Sequence, residues 1–352
     1  MIKNFSTPLF MLLFSCFTMA QSSYYFDNKE IKSGTKEHFL IPISTANNST
    51  LIPVTVFNGV KNGKTLGITA GVHGYELAPI MAAQRLITSI DPKKLTGVVI
   101  MVQIANMESF LGRSPYVSPI DRKNLGRTFP GNKDGSNTEK VANYITENII
   151  AKADYFLDMH SGDAPEDLIQ YGAYYSNTEM PEISNIGKEM AIALGFNHVV
   201  VFNTDGKNYM KKNELSLYCT AESFKRGIPS IDIECGRMGI MEETAIKKNE
   251  QSVINLLEHL KFILGKSQKS ETEKPSIISN RIYTESKFDG IFYPDKKAGE
   301  YVKKGMKLGH VTNYFGEVLQ TVYAEDDGLL MLIIATPAIN KGETLTVIGK
   351  TS

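Results

Sequence analysis

The sequence predicts an α/β fold, a mostly parallel or mixed sheet flanked by helices, followed by a small all-β domain. Three observations predict it. Apolar strand-like runs alternate with helical periods from about residue 50 to 265, the mark of a largely parallel sheet. A polar, charged run at 266–274 breaks the alternation just before Pro275, as linkers do. Residues 280–350 are then rich in Gly, Val, Ile and Thr, with turns at Asp326-Asp327-Gly328 and Asn340-Lys341-Gly342, which reads as short strands. At 352 residues the chain exceeds one ordinary core. The expected boundaries are 1–20, 21–265, 266–279 and 280–352.

Taken in order, residues 1–20 read as an export signal. Lys3 supplies the positive end, residues 8–17 the apolar core, and Thr18-Met19-Ala20 a small-residue cleavage site before Gln21. Leu13-Phe14-Ser15-Cys16 also has a loose likeness to a lipoprotein box, so a lipid tether on Cys16 is the alternative to simple cleavage and a periplasmic or extracellular product. Strands are expected at 66–70, 97–104, 155–159, 198–202 and 229–233. A helix is expected over 76–90. Another opens at a capping box, Ser136 to Glu139, and repeats apolar residues at Val141, Ile145 and Ile149. A third carries Ile183, Ile186, Met190 and Leu194 on one stripe and stops at Gly195. The fourth spans 242–264 and ends at Gly265. Between Asn106 and Asn137 no period is visible, and loops of that length inside compact domains are usually functional.

Composition narrows the class of partner. The hydrophobic fraction is 42% and the charged fraction 22%, values of a globular protein rather than a disordered one. Formal net charge is zero, and loss of residues 1–20 removes only Lys3, leaving 37 basic against 38 acidic residues. There is no basic field for nucleic acid. Beyond the signal no run of some 18 apolar residues occurs, so no transmembrane helix is expected. Without Cys16, Cys219 and Cys235 remain, either paired in an exported chain or buried as free thiols.

The stretch Gly71-Val72-His73-Gly74-Tyr75-Glu76 sits between an apolar strand and a helix. A His and a carboxylate three positions apart there share one face and can reach one cation. In open α/β sheets, ligands gather beyond the carboxyl ends of strands. His160 follows the strand at 155–159, and Glu234 follows the one at 229–233. His73, Glu76 and His160 are therefore the candidate ligands of zinc, a two-His, one-Glu set with an open fourth position. Glu234 is the candidate general base, and Asp158, two residues before His160, the candidate carboxylate that orients an imidazole. Each also has a plain structural reading. His38, His198, His259 and His310 are read as structural. Arg113, Arg122 and Arg127 in the long loop are candidates to grip a carboxylate, or are simply solvated.

These segments resemble the succinylglutamate desuccinylase/aspartoacylase family, within the wider zinc carboxypeptidase fold. The likeness rests on residues 71–76, Asn106 with Arg113, Asn124-Leu125-Gly126-Arg127-Thr128-Phe129-Pro130-Gly131, Leu157-Asp158-Met159-His160-Ser161-Gly162 and Ile233-Glu234-Cys235-Gly236, in the family's order. The tail, at 288–294 and 298–305, is similar to the family's C-terminal β domain and to biotinyl and lipoyl modules. It lacks a Met-Lys-Met context, so no covalent carrier is expected. The resemblance implies that His73, Glu76 and His160 bind one zinc and that Glu234 is the catalytic acid/base. It further implies that Arg113 polarises the scissile carbonyl, and that Arg127 with Asn124 binds the substrate. The family's run normally reads Asn-Leu-Asn-Arg, and Gly126 departs from it, which weakens the expected grip on an α-carboxylate.

The expected function is an exported zinc hydrolase cleaving the acyl-nitrogen bond of a small, carboxylate-bearing N-acyl amino acid or short peptide. Two alternatives stay open: a metallocarboxypeptidase acting on peptides or cell-wall stem peptides, and a non-catalytic zinc-containing binding protein.

Overall fold

The computed structural model describes residues 22–44, 49–264 and 274–351. The residues read as an export signal and most of those read as a linker lie outside them. The described chain is organised on a mixed, 13-stranded sheet. At its centre Thr96–Val102, Lys61–Ala70, Tyr155–His160 and Ser230–Glu234 lie side by side and parallel. Val98, Val99, Ile100, Met101 and Val102 are all buried, the unbroken apolar run of a strand covered on both faces.

Helices supply that cover. Leu77–Ser89, Pro181–Ala193 and Glu243–His259 pack on one face through Ala82, Leu86, Met190, Val253 and Leu257. Asn137–Asn148 closes the other through Val141 and Ile145 against Val54, Val98 and Ile100. The capping box at its start is joined by the loop: Asp121 accepts the Thr138 N–H at 2.8 Å and the Ser136 hydroxyl at 2.7 Å, while Glu139 accepts the Ser136 N–H at 2.8 Å.

The sheet is wider than the sequence suggests. On one flank the hairpin Thr35–Ser44 and Ser49–Asn58 pairs antiparallel with Thr96–Val102. On the other, Tyr171–Ser176 runs antiparallel to Ser230–Glu234, and His198–Asn203 and Ser276–Glu285 follow in parallel. Two expected boundaries move. The fourth helix ends at His259, not 264, because Lys261 takes a left-handed φ of 62° and Phe262 N–H returns to the Leu257 carbonyl, a helix stop that needs no glycine. The segment expected as linker to residue 279 is already strand from Ser276, where Ile277 and Ile278 pair with Val199 and Val200.

The all-β region therefore grows out of the main sheet. Thr344–Thr351, Gly328–Ile334 and Tyr301–Val302 extend it. Val318–Tyr323, Lys307–Thr312, Gly290–Pro294 and Ala338–Ile339 form a separate four-stranded sheet, and Phe292, Leu308, Val311, Leu330 and Ile348 fill the space between. No helix among the described residues is long and apolar enough to cross a membrane. Cys219 and Cys235 are both buried free thiols.

Candidate metal centre and active site

Three strand ends place the candidate residues. After Ala70 the chain turns at Gly71, whose φ of 68° is left-handed and suits glycine. A further turn, closed by Glu76 N–H on the His73 carbonyl, brings both side chains to one side before the helix starts at Leu77. His160 ends its strand beside Glu234, and the register pairs His160 with Glu234 and Asp158 with Asp232.

The side chains converge. His73 Nδ1 lies 2.7 Å from Glu76 Oε1, and His160 Nδ1 lies 2.9 Å from Glu76 Oε2. The other imidazole nitrogens are engaged from behind: His73 Nε2 by Asn124 Oδ1 at 3.1 Å, and His160 Nε2 by Asp158 Oδ2 at 2.9 Å. Asp158 is itself held by the Thr69 hydroxyl at 2.5 Å. Outer acceptors of this kind fix a tautomer and leave the opposite nitrogen free to ligate. Ligand atoms of His73, Glu76 and His160 lie within 4.8 Å of one another, so the donor set fits a single divalent ion. Asp158, His160 and Asp232 form a second such group that shares His160.

The electrostatics suit a cation. Glu76 is buried, which opposes its charge, yet His160 and His73 alongside hold its carboxyl well below the usual range. His160 is pushed well above its ordinary value despite burial, by Asp158 and Glu76. Burial drives Glu234 well up, with Glu76, Glu166 and Asp232 adding to it and His160 opposing. Its Oε2 is buried with no hydrogen-bond partner among the described residues. Burial also raises Asp232 and Glu166, each to about 7. Such a surplus of buried acid is relieved when a cation enters.

A cavity of about 640 Å³ opens over this group. His73, Glu76, His160, Asp158, Glu234, Asn124 and Arg127 all line it. Arg127 is stacked on Tyr218 at 4.6 Å and donates to the Gly126 carbonyl at 2.8 Å. Arg113 is not brought in. It ends the short helix Met107–Gly112 in a left-handed conformation, φ 50°, and is exposed outside the cavity. Tyr116 lines the cavity instead, edge-on to His73 at 5.8 Å. Arg122 is also exposed and outside. Gly126 is buried where an added Cβ would meet His73 Nε2 at 2.8 Å.

Some cavity residues escaped sequence reasoning. Asp232 had a readable signal, since Asp-x-Glu at 232–234 repeats the Asp-x-His spacing of 158–160 on the neighbouring strand. Glu166 follows the His160 strand without a motif. Asn280, Arg281 and Tyr283 belong to a strand read as linker and appendage.

Strand order, a largely buried cluster of two histidines and one carboxylate that could hold a metal ion, and the half-buried Glu234 beside it define the class of a hydrolase fold. The model of the succinylglutamate desuccinylase/aspartoacylase catalytic domain matches residues 62–260, and the chain belongs to that family, one of deacylases acting on carbon-nitrogen bonds. A relative from Halomonas elongata, N-alpha-acetyl-L-2,4-diaminobutyric acid deacetylase, is 30% identical over 331 residues, covering 90% of this chain and 92% of its own. Among solved structures, a succinylglutamate desuccinylase from Silicibacter sp. TM1040 is 25% identical with a TM-score of 0.79, covering 90% of this chain and 95% of that one. The product-bound ectoine utilization protein EutE (DoeB) from Ruegeria pomeroyi is 25% identical with a TM-score of 0.78, covering 89% and 95%.

Proposed function

We propose that the chain is an exported, zinc-dependent deacylase that hydrolyses the amide bond of a small N-acyl amino acid bearing a carboxylate. The observation that carries it is the convergence of both imidazole Nδ1 atoms on the Glu76 carboxylate, at 2.7 and 2.9 Å, beside Glu234, whose buried Oε2 has no partner among the described residues. Two His and one Glu are a known catalytic zinc set, and nitrogen with carboxylate donors suits zinc among divalent ions. His73, Glu76 and His160 would hold the ion. When bound, it supplies Lewis acidity and lowers the pKa of water to about 7.

The remaining work falls to side chains. Asn124 and Asp158 hold the two imidazoles in register. With the ion bound, its charge would favour the ionised Glu234 carboxyl against burial, and that carboxylate would accept the proton of the attacking water. It then delivers that proton to the leaving nitrogen. Arg127, flat on Tyr218, offers its free N–H groups to the substrate carboxylate. Arg113 has no part in these steps. The named activity of the Halomonas relative, a deacetylase of an N-acetylated amino acid, supports the same substrate class.

The test is a screen of the mature, metal-quantified protein against N-acyl amino acids and short peptides. Release of free amino acid from the acyl substrates, lost in Glu234→Gln with zinc retained, is the expected result. Turnover of peptides alone would overturn the deacylase reading in favour of a peptidase. Export is tested separately by fractionating cells and sequencing the mature N-terminus, expected at Gln21.

A further inference from the structure

Arg113, the residue expected to polarise the scissile carbonyl, is exposed outside the cavity, and the steps above name no side chain for that work. Tyr116 stands where one is needed. Three residues along the same loop, it is half-buried, lines the cavity and meets the His73 ring edge-on, the centroids 5.8 Å apart and the planes at 82°. Its hydroxyl lies against the Glu166 carboxyl, within the field of Glu76. A backbone shape that few residues adopt sets this direction. Tyr116 has a φ of 58°, and Val117 N–H returns to the Pro115 carbonyl at 2.6 Å, a tight three-residue turn that is strained for any residue with a side chain. Asp163, fully buried just past the end of the His160 strand, holds it there. One of its oxygens accepts the Tyr116 N–H at 2.8 Å and the other the Ala164 N–H at 2.6 Å. Val117 is in turn bridged to Asn124, whose Oδ1 touches His73 Nε2. One frame thus fixes both the phenol and the imidazole beside it.

We propose that Tyr116 is a catalytic residue, its hydroxyl donating a hydrogen bond to the carbonyl oxygen of the scissile amide as negative charge develops there. This rests on the deacylase reading for the kind of bond cleaved. A phenol O–H is one donor on a turning bond, so it exchanges Glu166 for the substrate oxygen while the ring stays in place. No proton changes owner at Tyr116. The bond formed is a hydrogen bond, and the proton of the attacking water still reaches the leaving nitrogen through Glu234. A donor aimed at developing charge lowers the barrier more than it tightens the hold on the ground state.

Steady-state kinetics of zinc-loaded Tyr116→Phe, which removes one oxygen and keeps the ring, test it. On whichever N-acyl amino acid or peptide the wild type turns over, kcat should fall by about 100-fold, the scale of one lost oxyanion donor, with KM within about twofold. Inhibition by a phosphonamidate analogue of that substrate, whose tetrahedral oxygens mimic the developing charge, should weaken by a similar factor, and binding of the free amine product should not change. Arg113→Ala should keep the wild-type kcat. Wild-type kcat in Tyr116→Phe, or a fall confined to KM, would overturn the role, as would a comparable kcat loss in Arg113→Ala. Zinc content and melting temperature of Tyr116→Phe should match wild type; a fall in either would assign the hydroxyl to structure instead. Turnover of peptides alone would sink the deacylase reading, yet the two variants compared on those peptides would still judge Tyr116.

Discussion

Replacing Gly126 by alanine probes the metal centre through a single methyl group. Gly126 lies outside the left-handed region, so alanine adds no backbone strain. The new Cβ would sit 2.8 Å from His73 Nε2, 3.3 Å from His73 Cε1 and 3.1 Å from Asn124 Oδ1. Ordinary contact begins near 3.5 Å, so the imidazole or its amide partner must retreat by roughly 0.7 Å. Metal-ligand distances hold to within about 0.2 Å. His73 would therefore lose either its place or its Asn124 acceptor. Damage to such an outer partner costs about 10–100-fold in metal affinity, or roughly 1.4–2.7 kcal/mol. The assay is competition for zinc against a chromophoric chelator, wild type and Gly126→Ala side by side, with thermal melting of both metal-free proteins. The expected result is weaker zinc binding at an unchanged apo melting temperature. Identical affinity would refute the argument, because it would mean that His73 either moves freely or binds no metal.

Other outcomes follow from the same geometry. His73→Ala and His160→Ala should each come off purification with little zinc; full metal content in both would remove the ligand assignment. Glu234→Gln should keep its zinc and lose at least ~100-fold in kcat, the scale of general acid/base help, and near wild-type turnover would exclude it as the proton carrier. Arg127→Ala should raise KM for carboxylate-bearing substrates, so an equal effect on substrates lacking the carboxylate would cancel its role. Away from the site, burial opposes the charge of Asp121, yet the hydrogen bonds from Thr138 and Ser136 hold its carboxyl below the ordinary range. A depressed carboxylate stabilises above the unfolded value of about 3.9 and loses that contribution as pH falls through the folded value. Asp121→Ala should cost about 1 kcal/mol at pH 7, the middle of the range for caps because the group is partly solvated. The gap to wild type should narrow as pH falls below about 4, and a gap constant with pH would contradict the cap.

The parallel centre of the sheet was legible because strands covered on both faces read as unbroken apolar runs, and the candidate ligands because they sit at the ends of such runs. The flanks were not. Thr35–Ser44 mixes exposed His38 and Leu40 with buried Ile41 and Ile43, and Tyr171–Ser176 is too short and aromatic to show a period. Arg113 carried the right residue type in the right order, but the left-handed turn that ends its helix leaves it outside the cavity. No local pattern could have announced Arg281, since its place depends on a parallel pairing with His198–Asn203 across more than seventy residues of chain.

That pairing has a consequence for anyone wishing to shorten or recombine this protein. Severing the chain between residues 264 and 274 would bare the outer ladder of His198–Val200, now covered by Ser276–Ile278, and an open strand edge invites association with other chains. The cut would also strip one side from the reaction chamber. A tail borrowed from another family member would have to bring a strand that fits this seam, so the two halves are exchanged together or not at all.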